Sequence, residues 1–206
     1  MNQIAFGCLG AQGYTYATVR ADSNTVGVID PNAIATLQNA RASGLSTGIY
    51  MILCPGADPV NQVNSVIQGI DSSLYNVVWF KLVTNSNSQC LWSSYTQAQN
   101  CQFLTNVLQG TNSSGITSGI FTTANIWNAN FGTACSFGSL GYVHLWYADY
   151  QTNGLVDPTQ SFADFTTFGG LGGWTQPDLK QIIGSTRVFL CNNPLWHALI
   201  NIDWHL

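Results

Sequence analysis

The sequence predicts an α/β protein. Three observations carry that reading. Short apolar runs rich in Val, Ile and Tyr alternate with longer segments of helical character, Gly- and Pro-rich connections separate the later runs, and no linker, low-complexity tract or internal repeat divides the chain. Residues 14–21 (YTYATVRA) read as a strand, and 31–43 follow as a helix: Asp30 can cap it, Pro31 suits its first turn and Gly44 can end it. Residues 47–53 form the next strand and 58–70 the next helix, after which 76–83 (NVVWFKLV) is a strand and 95–108 a helix. Further strands fall at 116–122, 141–150, 179–183 and 199–204. These are the elements of a parallel sheet wound by crossovers. A closed α/β barrel has eight strands and this reading supplies about seven. Either residues 2–6 serve as a short first strand, or that strand lies upstream of Met1.

The chain has 206 residues and is 46% hydrophobic. That suits one domain, 1–206, burying about 70% of its extended-chain surface. No window approaches the roughly 18 uninterrupted apolar residues of a membrane span. No basic start leads into an apolar run, so the chain reads either as already processed or as a piece cut from a longer one. Only 7% of residues are charged, against about 25% in an ordinary soluble domain. Five Lys plus Arg against nine acids leave no basic stripe to neutralise phosphates, which argues against nucleic acid as a partner. Weak net charge also lowers intermolecular repulsion, so self-association into an oligomer or filament is compatible with this surface.

All nine acids are Asp, at 22, 30, 58, 71, 149, 157, 164, 178 and 203. The absence of Glu limits both acid–base chemistry and oxygen ligation. Cys8, Cys54, Cys90, Cys101, Cys135 and Cys191 form an even set without CxxC spacing, which favours disulfides over zinc or redox chemistry and so an oxidising, extracellular setting. The Asn-x-Ser sequon at Asn112 agrees with secretion. His144, His197 and His205 are too scattered for a metal site, and neither metal nor cofactor is expected. The run 169–173 (GGLGG) lacks the Lys and the strand-to-helix context of a phosphate loop and reads as a flexible connection.

Taken in order, the segments FGCLGAQGYTYATVRA (6–21), IDPNAIATLQNARASGLSTGIYMILCP (29–55), QCLWSSYTQAQNCQFL (89–104), GIFTTANIWNANFG (119–132), LWYADY (145–150), FADFTTFGGLGGWTQPDLKQIIG (162–184) and NID (201–203) resemble the family 25 glycoside hydrolases, the secreted lysozymes, and most closely their protist and nematode branch. The resemblance covers nearly the whole chain. It implies a modified TIM-type β/α barrel, with a first strand short or missing and a glycan-binding groove at the carboxyl ends of the strands. It also implies the disulfides Cys90–Cys101, Cys8–Cys54 and Cys135–Cys191, although the sequence alone leaves other pairings open.

Glycosidases generally use two carboxyl groups, and the acid of the pair needs a raised pKa. By the resemblance, an Asp-x-Glu pair belongs at the end of the fourth barrel strand, with further Asp residues on the first and last strands. Here Lys81 stands at the Asp position and Val83 at the Glu position, and nothing before Phe6 is acidic. Asp203 matches the last-strand Asp, and Asp149 lies at the end of LWYADY. An Asp starts near pKa 3.9, and a neighbouring Lys⁺ lowers it further, which opposes a role as general acid. Alternation puts Trp79, Lys81 and Val83 on one face, with Lys81 in the barrel mouth. There it either pairs with Asp203 or Asp149, because an unpaired buried ammonium is costly, or snorkels to water at the rim.

Tyr50, Trp79, Trp146 and Tyr147 are candidate sugar-stacking residues, although aromatics near barrel mouths are often core. Arg20 either orients a site acid or braces the barrel. Two functions follow. One is a secreted, lysozyme-like barrel impaired in catalysis, kept for binding peptidoglycan or another glycan, or as a subunit of an extracellular assembly whose open edge a neighbouring chain completes. The other is an active muramidase that uses Asp203 and Asp149.

Overall fold

The computed structural model describes residues 1–83, 87–149, 161–163, 165, 171–193 and 197–204. It opens with a helix, α1 (Gln3–Ala11), capped by Asn2, whose side chain accepts from the Ala5 amide. The short strand expected at 2–6 is therefore incorrect. Ala5, Phe6, Cys8 and Leu9 are buried at helical spacing, and the Asn2 cap selects the helix over an extended run.

Seven strands follow in one sheet in chain order: β1 (Tyr16–Arg20), β2 (Ser46–Ile52), β3 (Val78–Lys81), β4 (Ser118–Thr122), β5 (Val143–Ala148), β6 (Leu179–Phe189) and β7 (His197–Trp204). β1 to β6 are parallel, and β7 returns antiparallel to β6. The first four crossovers carry α2 (Ala33–Ala42), α3 (Pro59–Ile67), α4 (Gln97–Ser113) and α5 (Ala124–Asn130). The sheet curls into a half-barrel, and one cavity is lined from both β1 and β7. Among the described residues no ladder joins those two edges.

Local chemistry explains the helix ends. Asp58 caps α3 by accepting from the Val60 and Asn61 amides, with Pro59 in the first turn. Thr96 and Gln99 form a reciprocal capping box on α4, which runs past its expected end to Ser113. Asp30 turns the chain before α2 by accepting from the Asn32 amide at 2.8 Å and so does not cap the helix. Helix α5 was not anticipated in the sequence; the Thr123 hydroxyl accepts from the Ile126 amide and starts it.

Alternation along the strands divides two apolar layers. On the outer face, Ile49, Phe80, Ile120 and Leu145 join Leu37 of α2, Val66 of α3 and Leu104 of α4 in the main core, each fully buried. Burying each such side chain contributes about 1.5–3 kcal/mol. On the inner face, Trp79, Phe121, Trp146 and Ala148 form a separate cluster. Gly119 admits it, since a Cβ there would collide with the Trp79 ring.

The disulfides differ from all three implied pairs. Cys8 bonds Cys191, Cys54 bonds Cys90 and Cys101 bonds Cys135, at Cα separations of 4.7, 4.4 and 5.5 Å. The physical reason is placement. Helix α1 packs with Leu190 and Ala198 in a small second core, which brings Cys8 to the turn at Leu190–Asn192. The first bridge thus ties the start of the described chain to the turn before β7. The run expected as a flexible connection is also corrected where it is described: an isolated bridge pairs Leu171 with Trp174, and Gly172 lies too close to the Trp127 and Trp174 rings to admit a Cβ. Gly169 and Gly170 lie outside the described residues.

Candidate functional site

The concave side of the sheet encloses a cavity of about 540 Å³. Strand pairing builds its wall residue by residue. Tyr16, Thr18 and Arg20 alternate along β1, Arg20 is in register with Tyr50 of β2, and Lys81 of β3 is in register with Phe121 of β4, itself opposite Trp146 of β5. From the far edge, β7 contributes Ile202 and Asp203. Thus Arg20, Tyr50, Lys81, Trp146 and Asp203, all singled out in the sequence, line one cavity.

The other candidates fall elsewhere. Trp79 is buried on the inner face and meets Trp146 edge-on, with centroids 5.7 Å apart, but does not line the cavity. Tyr147 follows Trp146 by one residue and therefore points to the outer core, where it is completely buried against Phe165. Its assignment as a sugar-stacking residue is corrected by that alternation. Val83 packs on the inner aromatic cluster, and neither it nor Asp149 lines the cavity. His144 pairs with Asp178 near the start of β5 at 2.8 Å, His197 lies on β7 and His205 is outside the described residues. Among the described residues no three His, Cys or Asp side chains cluster as metal ligands.

Lys81 is the unusual group. Its ammonium lies 4.1 Å from the centroid of the Phe121 ring, 4.8 Å from Tyr50 and 5.0 Å from Trp146. The ion pair expected with Asp203 or Asp149 is not formed: within 4 Å, Lys81 meets no carboxylate among the described residues. Partial burial lowers the Lys81 pKa, and Asp203 is near enough to oppose that shift.

Asp203 accepts a 2.8 Å hydrogen bond from the Trp146 indole. That bond and the Lys81 charge both favour its carboxylate, yet burial outweighs them and raises its pKa to about 7. The expectation that Lys81 would leave Asp203 below its ordinary value is therefore corrected: desolvation dominates.

Arg20 is engaged at the rim. Its guanidinium lies 3.7 Å from Asp22 and donates to the Ser23 carbonyl and the Asn24 side chain. Asp22 in turn accepts from the Ile52 amide, and burial raises its pKa. The Arg20 charge is thereby compensated within the β1 rim. Tyr16, not recognised in the sequence, also lines the cavity, and burial pushes its hydroxyl up to about 12. The signal was present, since Tyr16 and Arg20 share one strand face at even spacing, as Gly48 and Tyr50 do beside them; a Cβ at Gly48 would strike the Tyr16 ring.

An open β/α half-barrel with an aromatic-walled cavity on its concave side defines a lysozyme-like architecture. The comparisons give the family. The family model described as lysozyme-like protein 1 matches residues 1–199. The chain is 30% identical over 182 residues to "Probable GH family 25 lysozyme 2" of Dictyostelium discoideum, covering 86% of this chain and 76% of that protein. It is 29% identical over 180 residues to "Lysozyme-like protein 7" of Caenorhabditis elegans, covering 84% and 60%. In fold it is similar to a muramidase from Acremonium alcalophilum, with a TM-score of 0.73 at 14% identity over 98% of this chain and 87% of that one. A bacterial lysozyme from Streptomyces coelicolor gives a TM-score of 0.69 at 14% identity, covering 97% and 84%. The chain belongs to the family 25 lysozyme-like proteins.

Proposed function

We propose that this is a secreted, lysozyme-like glycan-binding domain, spanning 1–206, whose hydrolytic machinery is impaired. The observation that carries the reading is the charge set of the cavity: Asp203 is the one carboxyl among its described lining residues, and Lys81 stands close to it. Glycoside hydrolysis ordinarily needs two carboxyl groups about 5–10 Å apart across the scissile bond. Lys81 and Val83 take the places of the Asp-x-Glu pair. Half-buried Tyr50 supplies a face for a sugar ring, while Trp146, only 2% exposed, forms the wall behind it; peptidoglycan is the first ligand to test, since relatives are named lysozymes. Other relatives are named counting factors, which fits a family not confined to hydrolysis.

Three disulfides support secretion, and exposed Asn112 in the last turn of α4 is the candidate glycosylation site. Among the described residues no helix is long and apolar enough to cross a membrane. Among the described residues no ladder joins β1 to β7, and that open seam also supports a role as a subunit that pairs with a neighbouring chain.

One observation favours the alternative, an active muramidase: with a pKa near 7, Asp203 can hold a proton at neutral pH. Asp149, the proposed second group, does not line the cavity. A turbidity assay on bacterial walls, run beside a pull-down on the same walls, separates the two. Wall binding without clearing is the expected result. Clearing that disappears in Asp203→Asn defeats the impaired reading.

A further inference from the structure

Lys81 presents an ammonium to the cavity with no carboxylate within 4 Å among the described residues, although Asp203 is near enough to act on its charge, and a partly desolvated cation of this kind is normally relieved by an anion. The groups facing it from every strand packed around it are few. Tyr50 from β2, Phe121 from β4 and Trp146 from β5 present aromatic faces; Arg20 on β1 is already compensated by Asp22; Asp203 on β7 is tied to the Trp146 indole. Ring faces stabilise a cation, but less than full hydration does.

We infer that Lys81 anchors an acidic sugar, a saccharide unit carrying a carboxylate, with the half-buried Tyr50 packing on its ring. This rests on the glycan-binding reading and narrows it to a class of ligand. The cavity volume lies in the range of small-molecule sites, roughly 300–1,000 Å³. The inference also fixes a pH signature. Below neutrality Asp203 is largely protonated, the Lys81 charge is uncompensated, and a sugar carboxylate with an ordinary pKa stays ionised. As pH rises through about 7, Asp203 ionises, competes for Lys81 and repels the ligand. Arg20, the Asp22 beside it and the Tyr16 hydroxyl set the remaining field; Tyr16, at about 12, stays neutral throughout.

The test compares two tetrasaccharides by calorimetry, one alternating glucuronate with N-acetylglucosamine and one of N-acetylglucosamine alone. At pH 5.5 the acidic probe is expected to bind about tenfold more tightly, the worth of one charge-assisted contact. The preference should shrink at pH 8. Lys81→Met should abolish it, Lys81→Arg should retain it, and Asp203→Asn should keep it but flatten its pH dependence. Circular dichroism of each variant separates misfolding from lost binding, and a misfolded Met variant leaves the decision to the pH and Asp203→Asn arms. Equal affinity for both probes overturns the anchor alone. Binding of neither overturns the glycan reading and the anchor together.

Discussion

The two faces of the sheet are built from the same strands, yet they meet opposite demands. On the outer face Ile49, Phe80, Ile120 and Leu145 interlock with α2 to α4, each fully buried, and the polar side chains of that face, Thr47, Ser118 and Thr122, are buried as well but carry no charge. On the inner face aromatic rings are interleaved with Lys81, Arg20 and Asp203, and the Trp79 indole N–H and Tyr16 hydroxyl are buried near each other without a hydrogen bond of good geometry. Unsatisfied buried groups reduce stability. The outer face therefore carries most of the packing that holds the fold, and the inner face concentrates the charged groups of the cavity.

The largest stability loss should come from the outer face. Phe80→Ala removes a fully buried ring between the sheet and its helices and should lower unfolding free energy by about 3–5 kcal/mol. A loss below about 1 kcal/mol in denaturant titration would mean that the outer core does not dominate. Next is the clasp between α1 and the turn before β7. Replacing Cys8 and Cys191 by Ser opens a closure 183 residues long and should reduce stability by about 2–5 kcal/mol. The same melting curve under reducing conditions for both proteins checks that result: the gap should close, and a gap that persists would assign the loss to the Ser side chains.

On the inner face the expected effect is smaller and depends on pH. The Asp203 carboxyl has its ordinary value of 3.8 when unfolded and about 7 in the fold, so the folded state binds its proton more tightly. Its contribution is fully present below about 3.8 and is lost as pH rises through about 7. Asp203→Asn, neutral at every pH, should gain stability relative to the parent between pH 4 and pH 8, by on the order of 2 kcal/mol given partial exposure. Parallel melting curves across that range would refute the raised pKa.

The outer face was also the more legible in the sequence. Short apolar runs rich in Val, Ile and Tyr located the seven described strands, although β6 extends past its expected end to Phe189, and the range 58–70 located α3. The misplaced elements were those set by context. Residues 2–6 are too few to separate strand from helix by periodicity, and the burial of Cys8 and Leu9 against the turn before β7 decides the matter. Disulfide partners depend on that same long-range placement, so Cys8 could not be matched to Cys191 from spacing. In the site, alternation placed Lys81 inward, and the same rule applied to β5 separates Trp146, which faces the cavity, from Tyr147, which turns outward. The pKa of Asp203 was illegible because it reflects a balance of burial against Trp146 and Lys81, and only the three-dimensional arrangement sets the winner.

The smallest stability effect should come from the most conspicuous residue. Lys81→Met keeps a long unbranched chain among Phe121, Tyr50 and Trp146 and exchanges cation–ring attraction of about 0.5–2 kcal/mol for relief of a partly desolvated ammonium. These nearly offset each other, so stability should change by less than about 1 kcal/mol at pH 7. The outcome has a second arm through Asp203: without the neighbouring charge that favours its ionised form, its pKa should climb further above 7, and the pH at which the loss of stability levels off should move up with it. A Met variant that loses several kcal/mol would instead make Lys81 a structural member of the inner face, and the contrast between the two faces would narrow to one of polarity alone.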